Sequence, residues 1–455
     1  MSGKPVSRRR FVETAAAAAG WCLGTSQTPG QGLAAETAAP AQAVVPNAPI
    51  GVARGIHPGR VVWAHEPAAT RWQGPGNGHW WQGDHTDQSL VDRMLSQSLC
   101  RLVGVDSTAD AWDRLLRHFN QARGKGHVGY RPGEKIAVKV NFVGFLWRLD
   151  GVNPENYNLE RRRDYMNTSP QMMRAVLRQL VQAVGAKQGD IALVDTLAHF
   201  PNEYHQILHA EFPQVQYVDF AGRFGRVAAK PSSVPLYWSC RPEGSRQDYV
   251  PGCFAEADYL INLANLKAHT GAGVTLCAKN HYGSLVRWPA EEGYYDLHAT
   301  GFAPGAGKYR NLVDLMGHAH LGGKTLVYLI DGLYAGRHPI DPAPLKWNSA
   351  PFDGHWSSSL LASQDPVAID SVALDFLRAE WDDYPHRPGT EDYLHEAAEA
   401  DSPASGTFYD PDHASGVRRL ASLGVHEHWN DAREKQYSRN LETAEGIELV
   451  AVRRA

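Results

Sequence analysis

Lys135-Ile136-Ala137-Val138-Lys139-Val140-Asn141-Phe142-Val143, followed later in the chain by Ile191-Ala192-Leu193-Val194-Asp195, decides the fold. In the first stretch Ile136, Val138 and Val140 fall on one face of an alternating strand, and Lys139 and Asn141 fall on the other. The Pro132-Gly133 turn starts it. The second stretch is apolar throughout and closed by a carboxylate, the pattern of a parallel strand covered on both faces. Between them Ser169 stands as a helix cap with Pro170 in the first turn. Met173, Val176, Leu177, Leu180 and Val184 form the buried stripe, and Gly185 ends it. Strand, helix and strand in that order make a parallel crossover unit.

The pattern continues outward in both directions. Upstream, Val61-Val62-Trp63-Ala64 reads as a strand. Leu90, Val91, Met94, Leu95, Leu99 and Leu102, then Trp112, Leu115, Leu116 and Phe119, recur at helical spacing. Downstream, Tyr259-Leu260-Ile261-Asn262 and Leu326-Val327-Tyr328-Leu329-Ile330-Asp331 are apolar strands that end in polar groups, and helices are expected over 271–285, 309–321 and 366–381. This alternation predicts an α/β fold, a mostly parallel sheet with helices on both faces, in a single domain over residues 50–455.

Composition bounds the partners. A chain that is 43% hydrophobic and 21% charged has the make-up of a globular protein with a sizeable core. Forty-five basic against 49 acidic residues leave no excess to bind a phosphate backbone, which excludes nucleic acid as the expected partner. No stretch is long and apolar enough to predict an integral membrane span in the mature protein. Cys100, Cys240, Cys253 and Cys277 show no C-x-x-C spacing, so no cysteine-ligated iron–sulfur cluster is expected. Cys240 and Cys253 flank a loop and either pair in an oxidising compartment or stay as thiols.

Residues 1–43 differ from the rest. Ser7-Arg8-Arg9-Arg10-Phe11-Val12 matches the twin-arginine pattern, and a mild Ala-rich apolar run follows from Thr14 to Leu23. Small-residue cleavage sites then occur around Gly32-Leu33-Ala34 and Ala41-Gln42-Ala43, within a Gly/Pro/Ala/Gln linker over residues 24–49. This order predicts a twin-arginine signal peptide, the twin-arginine translocase as a partner during export, and a periplasmic or extracellular location.

In open parallel sheets, ligands collect beyond the carboxyl ends of the strands. The polar residues there are Lys139, Asn141, Asp195, Asn262, Asn265 and Asp331. The densest chemistry follows the Tyr259 strand: Asn262-Leu263-Ala264-Asn265-Leu266-Lys267-Ala268-His269-Thr270-Gly271-Ala272-Gly273, then Lys279-Asn280-His281-Tyr282-Gly283. The reading places Lys267 and His269 in a polar turn before a helix whose free N–H groups, with Lys267, would hold an anion. His269 would move a proton or bind a metal. Asp370, on the 366–381 helix, is expected to need a cation such as Lys139 or Lys279 if it is buried. Asp365 before Pro366 is a helix cap. Trp72, His79, Trp80, Trp81 and His85 either stack on a sugar at a cleft mouth or tie an amino-terminal extension to the sheet. Glu291 to His298 forms a similar aromatic and acidic loop, and His426 and His428 alternate as a candidate metal pair.

The run N-L-x-x-L-K-x-H…T…K-N…G over residues 262–283 resembles the hallmark of the family called domain of unknown function 362. Ile136 to Asn141, Thr168-Ser169-Pro170, Asp195, and Ser363-Gln364-Asp365-Pro366-Val367-Ala368-Ile369-Asp370 resemble its other elements, so the resemblance spans 135 to about 380. It implies an α/β fold distantly similar to the amino-terminal region of lactate racemase-like proteins, which use a nickel-pincer nucleotide. It implies no particular reaction. Many members carry a ferredoxin-type cysteine run, which this chain lacks.

The sequence therefore points to an exported enzyme acting on a small anionic or sugar-like substrate, with a bound metal or nucleotide-type cofactor left open. His269, Lys267 and Lys279 are the expected catalytic residues. Lys139, Asn141, Asn280, Asp331 and Asp370 are the expected substrate-binding ones. The alternative is a non-catalytic binding protein for a carbohydrate or small anion.

Overall fold

Alternation along each strand decides which layer a side chain enters. The computed structural model describes residues 47–147, 149–239, 247–285, 310–413 and 419–453. In it Val61, Trp63, Ala137, Val194, Leu260 and Ile330 enter one core, and Val62, Ala64, Val138, Leu193, Ile261 and Leu329 enter another. Successive Cβ atoms of a strand point to opposite faces, so two cores imply a sheet covered on both sides.

That sheet has ten strands: β1 (Arg60–His65), β2 (Ile136–Lys139), β3 (Ile191–Val194), β4 (Gln216–Asp219), β5 (Val227–Ala228), β6 (Tyr259–His269), β7 (Gly273–Thr275), β8 (Thr325–Gly336), β9 (Ser359–Ser363) and β10 (Glu448–Arg453). Their order is β10-β1-β9-β8-β6-β2-β3-β4-β5, with β7 paired on β6. Neighbours from β8 through β5 are all parallel. Strand β9 runs antiparallel between β8 and β1, and β10 lies parallel to β1, so the sheet is mixed.

Helices α1 (Gln88–Val103), α2 (Thr108–Ala122), α3 (Pro170–Gln179) and α4 (Asn202–His209) pack on one face. Helices α5 (Cys277–Asn280), α6 (Arg310–Gly317), α7 (Pro366–Glu380) and α8 (Asp392–Ala398) cover the other. The caps are those the sequence specifies. Ser169 Oγ accepts from Met172 N at 3.1 Å, and Asp365 Oδ1 accepts from Val367 N and Ala368 N at 3.0 and 2.9 Å. No helix among the described residues is long and apolar enough to cross a membrane.

One expectation changes at this level, and one alternative is decided. Residues 271–285 do not begin a long helix. Instead β6 runs on to His269, and β7 returns antiparallel beside it, pairing Thr275 with Lys267 and Gly273 with His269. Gly273 permits the reversal: its φ is +79°, and a Cβ there would stand 2.0 Å from Thr390 Oγ1. The helical character shrinks to α5 and the 3-10 turn His281–Gly283 that follows it. The aromatic segment, for its part, ties down the amino-terminal region. Trp72 and Trp80 are buried, Trp72 stacks on Trp356 with ring centroids 5.4 Å apart, and the indoles of Trp80 and Trp81 donate to the backbone of Asp164 and Arg163. The Arg8-Arg9 signal, the Cys240–Cys253 pairing and the Glu291–His298 loop lie outside the described residues.

Candidate functional site

Parallel strands that end side by side bring their last residues together, and Lys139 is the hub. It ends β2 in register with Asn262 of β6 and Val194 of β3. Lys139 Nζ donates to Asp195 Oδ2 and to Asn280 Oδ1, both at 3.0 Å. Asn280 Nδ2 donates to Asn262 Oδ1 at 2.8 Å, and Asn141 Nδ2 donates to Asn280 Oδ1 at 3.1 Å. Asn141 Oδ1 in turn accepts from Lys267 Nζ at 2.6 Å, and Lys267 also donates to the Met166 carbonyl. One continuous buried network thus joins Lys139, Asn141, Lys267 and Asn280, with Asp195 as its anion. Burial pushes Lys139 below the ordinary lysine range, against the pull of Asp195. It pushes Lys267 well below, aided by repulsion from Lys279.

Above this network lies a cavity of about 340 Å³. Lys139, Asn141, Asp195, Thr275 and Lys279 line its polar side with His269 and His338, while Phe142, Val143, Leu146, Leu149, Leu197, Tyr282 and Ile340 make an apolar wall. Lys279 differs from the two lysines beneath it. Among the described residues its Nζ has no hydrogen-bond or ion-pair partner, and burial pushes it down to about 8. Thr275 Oγ1 is also buried without a hydrogen-bond partner among those residues.

Residues 152–375 match the model of the family described as Domain of unknown function (DUF362). The chain carries a DUF362 domain. No curated protein and no solved structure matches the chain. The match takes in Asp195, Lys267, His269, Lys279 and Asn280. Lys139 and Asn141 precede it, so the DUF362 segment is completed by an upstream strand.

His269 sits at the end of β6, and its Nδ1 accepts from Gly271 N and Ala272 N at 2.9 and 3.1 Å. The turn N–H groups expected to hold an anion are therefore spent on the imidazole, which fixes the proton of the neutral ring on Nε2. Its ring centroid lies 5.4 Å from that of His338, which sequence reasoning missed. His338 Nδ1 accepts from Ile340 N at 3.1 Å, so its Nε2–H donates to Thr270 Oγ1 at 2.6 Å. Burial, with repulsion from Lys267 and Lys279, lowers His338 to about 4. The signal was the length of β8: the sequence reading ended that strand at Asp331, whereas it continues to Gly336 and carries the chain to His338.

Asp331 and Asp370 stand apart from the cavity. Asp331 accepts from Ser169 N and Leu333 N at 2.8 and 3.1 Å. Asp370 accepts from Cys277 N at 2.8 Å, and from Ala278 N and the Tyr393 hydroxyl at 3.0 Å. The expected cation partner is replaced by backbone N–H groups at the start of α5, because a helix terminus presents unpaired donors to a buried acceptor. Asp370 thereby places the short helix that carries Lys279 and Asn280.

Proposed function

We propose that this DUF362 protein is an exported enzyme whose cavity takes a small substrate with an anionic or carbonyl oxygen and an apolar remainder. The observation that carries the reading is Lys279: an amine on the wall of a cavity, without a partner among the described residues, beside two lysines that are hydrogen-bonded into the network. A lysine lowered to about 8 supports both roles at neutral pH. Its ammonium form, the majority, holds negative charge; about a tenth is free amine and serves as a base or nucleophile. His269, with its proton on Nε2, is suited to donate toward an oxygen in the same cavity. The network beneath gives both groups a fixed platform. The largely apolar wall favours an acyl or alkyl body over a sugar ring. The twin-arginine motif supports export, and the lactate racemase likeness rests on the family resemblance alone.

The test is a thermal-stabilisation screen of carboxylates, keto acids, phosphates and sugars, followed by product analysis of each hit. Stabilisation that vanishes in Lys279→Met, together with chemical turnover, supports the proposal. Hits recovered unchanged after long incubation would leave a non-catalytic anion-binding protein, and hits that bind Lys279→Met equally well would remove this cavity from the account.

A further inference from the structure

The segment that closes the chain brings a second group of ligand-type side chains together. Glu391, immediately before α8, meets His426 and His428, and one ligand atom from each lies within 4.8 Å of the others. The hydrogen bonds around them fix the tautomer of His426 and the orientation of His428. Ser371 Oγ donates to the Val367 carbonyl at 2.7 Å, so at its 2.8 Å contact with His426 Nδ1 the hydroxyl is the acceptor. Nδ1 carries the proton, and Nε2 of this buried imidazole keeps its lone pair. His428 Nδ1 lies 2.6 Å from Asp375 Oδ1. The other oxygen of Asp375 accepts from Trp429 N at 3.0 Å and from the Tyr437 hydroxyl at 2.9 Å, which locks the carboxylate in place. His428 Nε2 then aims at Glu391 Oε2, 2.9 Å away.

We infer that Glu391, His426 and His428 form a binding site for a borderline divalent cation of the zinc type, with Ser371 and Asp375 orienting the two imidazoles. An oxygen acceptor on the far nitrogen, most often a carboxylate, is the usual support of a metal-binding histidine, because it fixes the tautomer and raises the basicity of the nitrogen that binds. Two imidazoles and one carboxylate match zinc and its neighbours and disfavour magnesium and calcium, which want oxygen throughout. The cation would replace the proton on the His428–Glu391 line. Arg378 Nη1 donates to the same Glu391 oxygen at 2.6 Å, so it holds the carboxylate ionised and competes with the metal for it. The three ligands come from the start of α8 and from the segment after residue 425, so the ion would pin that closing segment to the helical layer. The fourth position stays open to water. The His395 ring, 4.7 Å from that of His426, is the nearest further imidazole.

The test uses the untagged full chain, stripped with a chelator and titrated with Zn²⁺ in a non-coordinating buffer. The expected result is one equivalent bound with micromolar or tighter affinity, a rise in thermal stability, and visible absorption bands for the Co²⁺ form. Glu391→Gln, near-isosteric and half-buried, should weaken binding at least tenfold. Asp375→Asn, which leaves all three ligands in place, should weaken it about 10- to 100-fold. Lys279→Met, in the other site, should leave the stoichiometry unchanged. Wild-type protein that takes up no stoichiometric Zn²⁺, or Glu391→Gln that binds it as the wild type does, would overturn the assignment.

Discussion

Lys139 Nζ lies 3.0 Å from Asp195 Oδ2 with both side chains out of solvent, 0% and 5% exposed. Gly283 seals the pair, since a Cβ there would stand 2.9 Å from Lys139 Nζ and 3.1 Å from Asp195 Oδ1. A buried pair costs desolvation when made and more when halved, because the survivor is an uncompensated charge. Lys139→Met should therefore lower stability by about 3–5 kcal/mol in urea denaturation at pH 7. Gly283→Ala should lower it by about 1–3 kcal/mol through overpacking. Wild-type midpoints in both variants would show that the pair does not hold the strand ends together.

Lys279 makes the opposite prediction for stability. Its ammonium is half-buried without a partner among the described residues, so Lys279→Met should stabilise the protein at pH 7 while abolishing ligand-induced stabilisation. The pH dependence has a definite sign. With the folded value near 8 and the unfolded value near 10.4, the unfolded chain binds more protons between those limits, so this group makes stability rise from about pH 8 to pH 10. Above about pH 10 buried tyrosines such as Tyr204 and Tyr437, raised by burial, act the other way. The advantage of Lys279→Met over wild type should shrink across that window, and affinity for an anion should fall as pH rises through about 8. A constant difference between the two proteins from pH 7 to 10 would contradict the lysine's lowered value.

Asp370 bonds to Cys277, Ala278 and Tyr393, none of which lines the cavity, so it acts on the site through α5. Replacing it with Asn turns one acceptor of the Cys277 and Ala278 N–H groups into a donor. The expected cost is about 1–3 kcal/mol of stability, with roughly tenfold weaker ligand binding because Lys279 shifts with its helix. Unchanged affinity at reduced stability would mean that α5 holds its place without this contact.

The strands and their covering helices were legible because period two and period 3.6 are printed in Ile136–Val140 and in Met173–Val184. The gathering of Lys139, Asn141, Lys267 and Asn280 was legible for a topological reason: parallel strands deliver their carboxyl ends to one edge. Sequence misjudged where β6 and β8 stop, since polar residues at 262, 265 and 331 look like strand ends although both strands run on past them. That error put His269 in a turn and left out His338. Nor can spacing tell a ligand carboxylate from one that caps a distant helix. Asp370 reaches Cys277 across 93 positions, and no local signal carries that pairing.

The proposed export would rest on Arg8 and Arg9. Replacing both with Lys keeps the charge but loses the guanidinium pair of the motif, and the precursor should stay in the cytoplasm with its amino terminus uncleaved. Fractionation with an antibody to the mature chain measures this. Mature protein outside the cytoplasm at wild-type levels in the double variant would end the twin-arginine reading.

His269 decides between structural and chemical roles, and its two nitrogens allow them to be separated. Nδ1 serves the turn, accepting from Gly271 N and Ala272 N, which places the proton of the neutral ring on Nε2. In His269→Asn the amide oxygen falls near the position of Nδ1, so the turn keeps its acceptor but the ring and Nε2 are gone. In His269→Gln the longer side chain reaches toward the Nε2 position and can donate a hydrogen bond, yet it cannot transfer a proton and leaves the turn N–H groups short of an acceptor. If His269 moves a proton, both variants lose turnover by about 10²- to 10⁴-fold, and His269→Asn does so with near-native stability. If it only holds the turn, His269→Asn should turn over and bind as the wild type does, and His269→Gln should lose stability by about 1–3 kcal/mol from the unpaired N–H groups. Full activity in His269→Asn would retire the proton-transfer role and leave Lys279 as the reactive group of the cavity.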